Sequence, residues 1–189
     1  MSQSDLSPND SAGHHTRAQG AAGSDAGVDG LIAGVTDYAA RATPDLRGSV
    51  WFIMQIADAY AYIRLHDLVR PLQFLRQISS VPPVRFGTAG FRPELVDDLN
   101  PARHYTAFVF VGFWMWTPLA HLMLWGWEIA SFFRYRGHWS PADVLSGRVG
   151  IRHGRLVRRH GPAILPGLIA ADLAASPSRA AGPDHAGEA

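Results

Sequence analysis

The sequence predicts a mainly α-helical protein: one long apolar helix, one amphipathic helix and disordered termini, assembling as a helical oligomer. Three observations carry this. Residues 105–127, YTAFVFVGFWMWTPLAHLMLWGW, hold no formally charged residue over 23 positions. Residues 49–78 place apolar side chains at alternating steps of three and four, the spacing of a coiled-coil seam. Both ends are rich in Gly, Ala and Ser and poor in large apolar residues, so they cannot bury enough surface to offset the entropy of ordering.

Composition narrows the function classes. The absence of Cys excludes disulfides, thiolate metal sites, iron–sulfur ligation by this chain and a cysteine nucleophile. The formal charge of +1 points to no partner by itself. All 17 basic residues are Arg, which fits GC-rich codon usage better than selection for bidentate anion binding. The mean hydropathy of −0.02 averages an apolar middle with polar ends. The first 30 residues lack the basic start and the apolar stretch of about 7–15 residues of a secretory signal. Membrane insertion is therefore expected to use the internal segment.

In chain order, residues 1–30 read as a disordered tail, in which His14 and His15 are an isolated pair. Residues 31–78 form an amphipathic helical region. Leu31 to Arg41 is a short helix, broken by Thr43-Pro44-Asp45. From Ser49 the seam runs through Trp51, Met54, Asp58, Ala61, Leu65, Leu68, Leu72 and Leu75, with a kink or restart expected at Pro71. Two readings fit this seam: packing on its own domain, or an oligomerisation helix whose Asp58 sets register. Residues 79–100 form a Pro/Gly-rich arm, with Phe86 and Phe91 as anchors for a partner's groove or for the protein's own helices.

Residues 101–134 are the apolar helix. Asn100 is placed to cap it, Pro101 occupies its first position, and Pro118 is expected to kink it. Residues 135–175 form a basic C-terminal region. Apolar/polar alternation around His153-Gly154 fits a small β-hairpin over 148–159, and a short helix follows Pro166. Residues 176–189 read as a second disordered tail.

The apolar helix carries the functional reading. About 20 apolar residues cross a hydrocarbon core about 30 Å thick, so residues 105–127 suit a bilayer span or the inside of an apolar helical tube. Seven arginines follow the run, at 134, 136, 148, 152, 155, 158 and 159. If it spans, that bias places the C-terminal region in the cytoplasm, at what is expected to be a bacterial cytoplasmic membrane. Trp114 and Trp116 would then sit near the bilayer centre, which favours helices packed on each other or around an apolar ligand.

Thr117, His121 and Glu128 share one face at helical pitch. One reading has His121 bonding Thr117 or a facing helix, with Glu128 marking the helix end. The other is a ligand site. Ala120-His121-Leu122-Met123-Leu124-Trp125-Gly126-Trp127 resembles the A-H-x-x-x-W-x-W pattern of bacterial light-harvesting beta polypeptides. That resemblance implies His121 as the ligand of a tetrapyrrole pigment, with Trp125 and Trp127 beside it. It covers only this stretch of the 189-residue chain, and Glu128 stands where those polypeptides tend to have Arg-Pro. His104 and His121, on one helix, are too far apart to ligate a single iron.

No phosphate-binding loop, dinucleotide fingerprint, HExxH or GxSxG pattern is present. Arg148, Arg152, Arg155, Arg158 and Arg159 suit anionic lipid or an acidic partner surface. Nucleic acid is not expected, because no aromatic platform is interleaved with them. The expected function is a non-catalytic, membrane-associated scaffold. It oligomerises with itself, contacts lipid and anchors a larger, quinone-linked redox enzyme complex. It has no cofactor of its own beyond an apolar quinone or lipid. The rival readings are a pigment- or haem-binding membrane protein using His121, and a small membrane enzyme of unrecognised type.

Overall fold

The computed structural model describes residues 26–64, 82, 84–134 and 140–176. These residues form six α-helices and no strand. The helices are α1 (Gly27–Arg41), α2 (Leu46–Ile56), α3 (Pro101–Trp114), α4 (Thr117–Arg134), α5 (Pro141–His160) and α6 (Leu165–Asp172). The mainly helical class read from the sequence is therefore the class adopted. The expected tails lie almost wholly outside the described residues, although α1 starts at Gly27 rather than beyond residue 30.

The pair α3–α5 is the centre of the molecule. Tyr105, Val109 and Phe113 of α3 are buried with Val157 of α5 in the main core. The two backbones approach closely because glycines face each other's helix. A Cβ on Gly154 would lie 2.1 Å from the Val109 carbonyl oxygen, and one on Gly112 would lie 2.3 Å from that of Ile151. Gly150 meets the Tyr105 carbonyl in the same way at 2.6 Å. Small residues at such steps let helices pack backbone to backbone. Each glycine in a helix costs about 0.5–1 kcal/mol relative to Ala, which the packing here must offset.

This region is where the expected hairpin at 148–159 fails. Residues 141–160 are one helix, started by Ser140, whose hydroxyl accepts from the Asp143 N–H at 3.0 Å. The apparent alternation is a helical pattern with glycine and small residues inward and arginine outward.

The apolar run also resolves differently. It is not one long helix. Met115 turns extended and α4 begins at Thr117. Pro118 has no N–H to give to the preceding turn, so the helix cannot run through it. It falls instead in the first turn of α4, where no donor is needed. The α3 half is core, and no helix among the described residues is long and apolar enough to cross a membrane. The single-span reading of residues 105–127 is thus corrected. The arginine bias after it no longer orients anything.

The helix expected to continue to residue 78 stops earlier. After α2 comes a π turn, Ala57–Ala61, and then Tyr62 at φ 60. A left-handed residue of this kind ends a helix. The deeply buried face of α2 is Phe52, Ile53 and Ile56, one step away from the expected seam. On that seam Trp51 is 37 % exposed, Met54 and Asp58 are half-buried and Ala61 is buried. Leu65, Leu68, Leu72 and Leu75 lie outside the described residues. At the start of α2, Asp45 caps by accepting from the Gly48 N–H at 2.7 Å, matching the break read at Thr43-Pro44-Asp45. Asn100 holds the cap position of α3 but makes no capping bond.

The arm before α3 packs on the protein itself. Phe86 and Phe91 are buried in the main core, and Phe86 meets the Tyr60 ring edge-on at 4.9 Å. The arm receives α1 through Gly27 N–H to Phe86 O and Val28 N–H to Ala89 O, at 2.6 and 2.8 Å. It then pairs with the far end of the chain through Arg92 N–H to Leu173 O and Ala175 N–H to Gly90 O, both at 2.8 Å.

Close backbone packing at Gly154 has a measurable consequence. Gly154→Ala is expected to lose about 2–3 kcal/mol in urea unfolding, because the new methyl meets backbone that cannot swing aside. Gly126→Ala, with nothing within 4 Å of its Cβ position, is expected to be neutral or to gain up to about 1 kcal/mol.

Candidate functional site

Two polar clusters are built from neighbouring residues of α3. Successive helical residues point about 100° apart, so His104 faces α4 and the start of α5, while Tyr105 faces the middle of α5 and α6.

The first cluster is His104, Glu128 and Asp143. His104 Nε2 lies 3.7 Å from Glu128 Oε1, and His104 Nδ1 lies 3.9 Å from Asp143 Oδ1. One ligand atom from each of the three residues lies within 4.8 Å of the others, the arrangement of a metal-binding triad. The Glu128 side chain is 3 % exposed and that of His104 12 %. Neither His104 Nε2 nor Glu128 Oε1 has a hydrogen-bond partner. Burial pushes the Glu128 carboxyl up to about 7, helped by the charges of Asp143 and Asp97. Burial also drives His104 down to about 4, against a hydrogen bond to the Asp143 backbone. Since Nε2 is the unpartnered atom, that bond is made by Nδ1, and Nε2 presents its lone pair to Glu128.

The second cluster is a hydrogen-bonded chain. Asp172 is an acceptor, so His153 Nε2–H donates to Asp172 Oδ2 at 2.8 Å. His153 Nδ1 is then free to accept from the Tyr105 hydroxyl, also at 2.8 Å. Arg152 closes the outer end by pairing with Asp172. Burial holds His153 below its ordinary value, although Asp172 works against this. Burial raises the Asp172 carboxyl, but hydrogen bonds from His153 and Arg152 and the Arg152 charge outweigh it and hold it low. Tyr105 is 1 % exposed and its phenol is pushed well above the ordinary value by burial. The chain therefore pins α3, α5 and α6 together; a phenol at this depth has no contact with solvent.

At the surface, α4 lies against α5. The polar stripe read from the sequence is turned toward the protein, with Thr117 and His121 half-buried and Glu128 buried. His121 Nδ1 donates to the Thr117 carbonyl at 2.9 Å. A groove of about 270 Å³ beside it is lined by Thr117, His121, Arg148, Arg152, Arg155 and Arg159 among others. A second of about 510 Å³ is lined by Trp114, Trp116, Arg155, Arg158 and Arg159 among others. The expected arginines thus cluster, but they are not equivalent. Arg148 stacks 5.8 Å from the Trp125 ring centre, Arg152 pairs with Asp172, and Arg158 donates to the Phe113 carbonyl at 2.9 Å. Trp125 and Trp127 are 38 % and 42 % exposed and line neither groove.

Sequence reasoning singled out His121, Glu128 and the arginines. It did not assemble His104 with Asp143, or Tyr105 with His153 and Asp172. The available signal was Ser140-Pro-Ala-Asp143, a helix-start pattern. It predicts α5 as a helix and brings Asp143 and His153 onto its inner side. No protein-family model, no curated protein and no solved structure matches the chain.

Two outcomes test the pinned chain. Tyr105→Phe is expected to lose about 1–3 kcal/mol, because His153 Nδ1 is left buried without a donor. Burial lowers the pKa of His153 in the fold below the ordinary 6.5, so as pH falls through 6.5 the unfolded chain takes up the proton first. Its stabilising contribution is full above pH 6.5 and falls as pH drops toward the lowered folded value, by up to about 1.4 kcal/mol per unit. His104 acts in the same direction and Glu128 in the opposite one. The readout is therefore the difference between wild type and His153→Gln. Urea unfolding from pH 8 to 4 is expected to show that difference shrinking below pH 6.5.

Proposed function

We propose that the protein is a non-catalytic helical anchoring subunit that lies on an anionic membrane surface through α4 and the arginine face of α5, and holds a larger enzyme complex there. The observation that carries this reading is an apolar helix left bare beside a basic one. On α4, Leu122 is 66 % exposed, Ile129 52 % and Phe133 78 %, and Trp116 just before it is 69 % exposed. Only a narrow strip of α4, Ala120, Leu124 and Glu128, is buried. A helix apolar around most of its circumference calls for an apolar surrounding. Full burial of each large side chain is worth about 1.5–3 kcal/mol.

The composition of α4 suits the interface rather than a span. Tryptophans are at home at headgroup level, where one edge is apolar and the other wet. Interfacial helices lie in the membrane plane, with basic groups meeting lipid phosphates. Arg155 and Arg159 have no ion-pair partner among the described residues and line both grooves beside α4. A second copy of the chain is a poorer occupant of this face, because two-fold pairing would set one arginine row against another. A tetrapyrrole or quinone at His121 is also poorer, since the groove there is walled by guanidinium groups that suit a phosphate. The groups with the most strongly shifted acidity, Tyr60, His104, Tyr105 and Glu128, line neither groove, which supports anchoring over catalysis.

Vesicle co-sedimentation with tryptophan fluorescence tests this. The protein is expected to bind vesicles containing phosphatidylglycerol, with a blue shift of its emission, and to bind phosphatidylcholine vesicles weakly. The double variant Arg155→Gln, Arg159→Gln is expected to bind about 25-fold more weakly, at about 1 kcal/mol per arginine. Equal binding to both lipids, or to neither, overturns the reading.

A further inference from the structure

Four buried side-chain polar atoms among the described residues lack a partner, and two of them, His104 Nε2 and Glu128 Oε1, face each other at 3.7 Å. With Glu128 ionised both present lone pairs, and a cation between them satisfies both. We propose that His104, Glu128 and Asp143 form a site for one divalent transition-metal ion that clamps α4 to α3 and α5.

The donor set fits that class. One imidazole and two carboxylates suit zinc, manganese or iron, whereas calcium and magnesium take oxygen ligands. Tetrahedral ligand atoms about 2.0–2.2 Å from an ion are about 3.3–3.6 Å apart. His104 Nε2 and Glu128 Oε1 already lie 3.7 Å apart, and the triad, which spans up to 4.8 Å, closes on an ion with side-chain shifts of about 1 Å. Gly147 leaves the space. A Cβ there would lie 3.2 Å from His104 Nε2 and 2.5 Å from Leu124 Cδ1, so a side chain on this turn of α5 would crowd the site.

The three ligands come from three helices, which gives the site its role. α4 rests on the body through Ala120, Leu124 and Glu128 alone among its fully buried residues. An ion held by Glu128 fixes the C-terminal end of that strip, where no apolar residue of α4 after Leu124 is fully buried among the described residues. The site does not depend on the lipid reading.

The test uses the full chain, stripped with chelator and titrated with Zn²⁺ by calorimetry. One equivalent is expected to bind, and the melting temperature to rise by about 5–10 °C at a hundredfold excess over Kd. His104→Gln and Glu128→Gln are expected to weaken binding at least tenfold. Asp143→Asn should do the same, and with its side chain 34 % exposed it is the variant most certain to fold. His14→Ala with His15→Ala should leave the site intact, which separates it from adventitious binding at that pair. Co²⁺ should give visible bands of a low-coordinate ion in the wild type and lose them in Asp143→Asn. Zn²⁺ should also slow amide exchange along α4. Binding that survives both His104→Gln and Asp143→Asn, or absence of binding in the wild type, overturns the site. Binding without slower exchange in α4 overturns the clamp.

Discussion

The approach of α3 to α5 through glycine is the constraint on which the rest of the molecule depends. Gly112, Gly150 and Gly154 remove side chains where the two backbones meet, so the helices touch along main chain rather than through interdigitated side chains. At this separation Tyr105 reaches His153 directly, and both are buried almost completely. With ordinary side chains between the helices, the phenol and the imidazole would be held apart and each would need water or another partner. The glycines therefore set more than packing density. They determine which polar groups on the two helices are within bonding range.

The same geometry explains why adjacent residues of α3 sit in opposite electrostatic situations. Tyr105 belongs to a chain in which each donor has an acceptor and the charged end reaches solvent at Asp172, 30 % exposed. His104, one residue earlier, faces the Glu128 carboxyl at 3.7 Å, too far for a hydrogen bond. In a poorly polarisable surrounding a completed network strengthens and an incomplete one is costly. The two clusters thus differ in completeness on one helix, and the less complete one lies under α4.

Much of the fold was legible in the sequence. The helix ending at Arg41, the break at Thr43-Pro44-Asp45, the start at Pro101 and the short helix after Pro166 all rest on local rules of capping and breaking, which act over a few residues. What was illegible depended on long-range contact. The apolar run looked like a single span because hydropathy cannot distinguish a core helix from an exposed one; only packing on α5 separates α3 from α4. Residues 148–159 looked like a hairpin because apolar and polar residues alternate around His153-Gly154, and the glycines, which weaken an isolated helix, have their cost offset here by a partner helix far away in sequence. The arginine spacing at 148, 152, 155 and 159 was the helical signal that should have outweighed the alternation. His104 and Asp143, and Tyr105 and Asp172, are linked only through tertiary structure, so no spacing rule could join them.

The pairing of residues 90–92 with residues 173–175 places a further condition on how this chain folds. The arm that carries Phe86 and Phe91 receives the first turn of α1 on one side and the strand-like end after α6 on the other. Contacts so distant in sequence form only after a large loop has been closed, with its entropy lost before any bond is gained. During synthesis, α1 and α2 emerge well before their docking surface is complete. The arm stays unclasped until Ala175 has been made. Clasping of the arm therefore waits on residues 173–175, late in the chain.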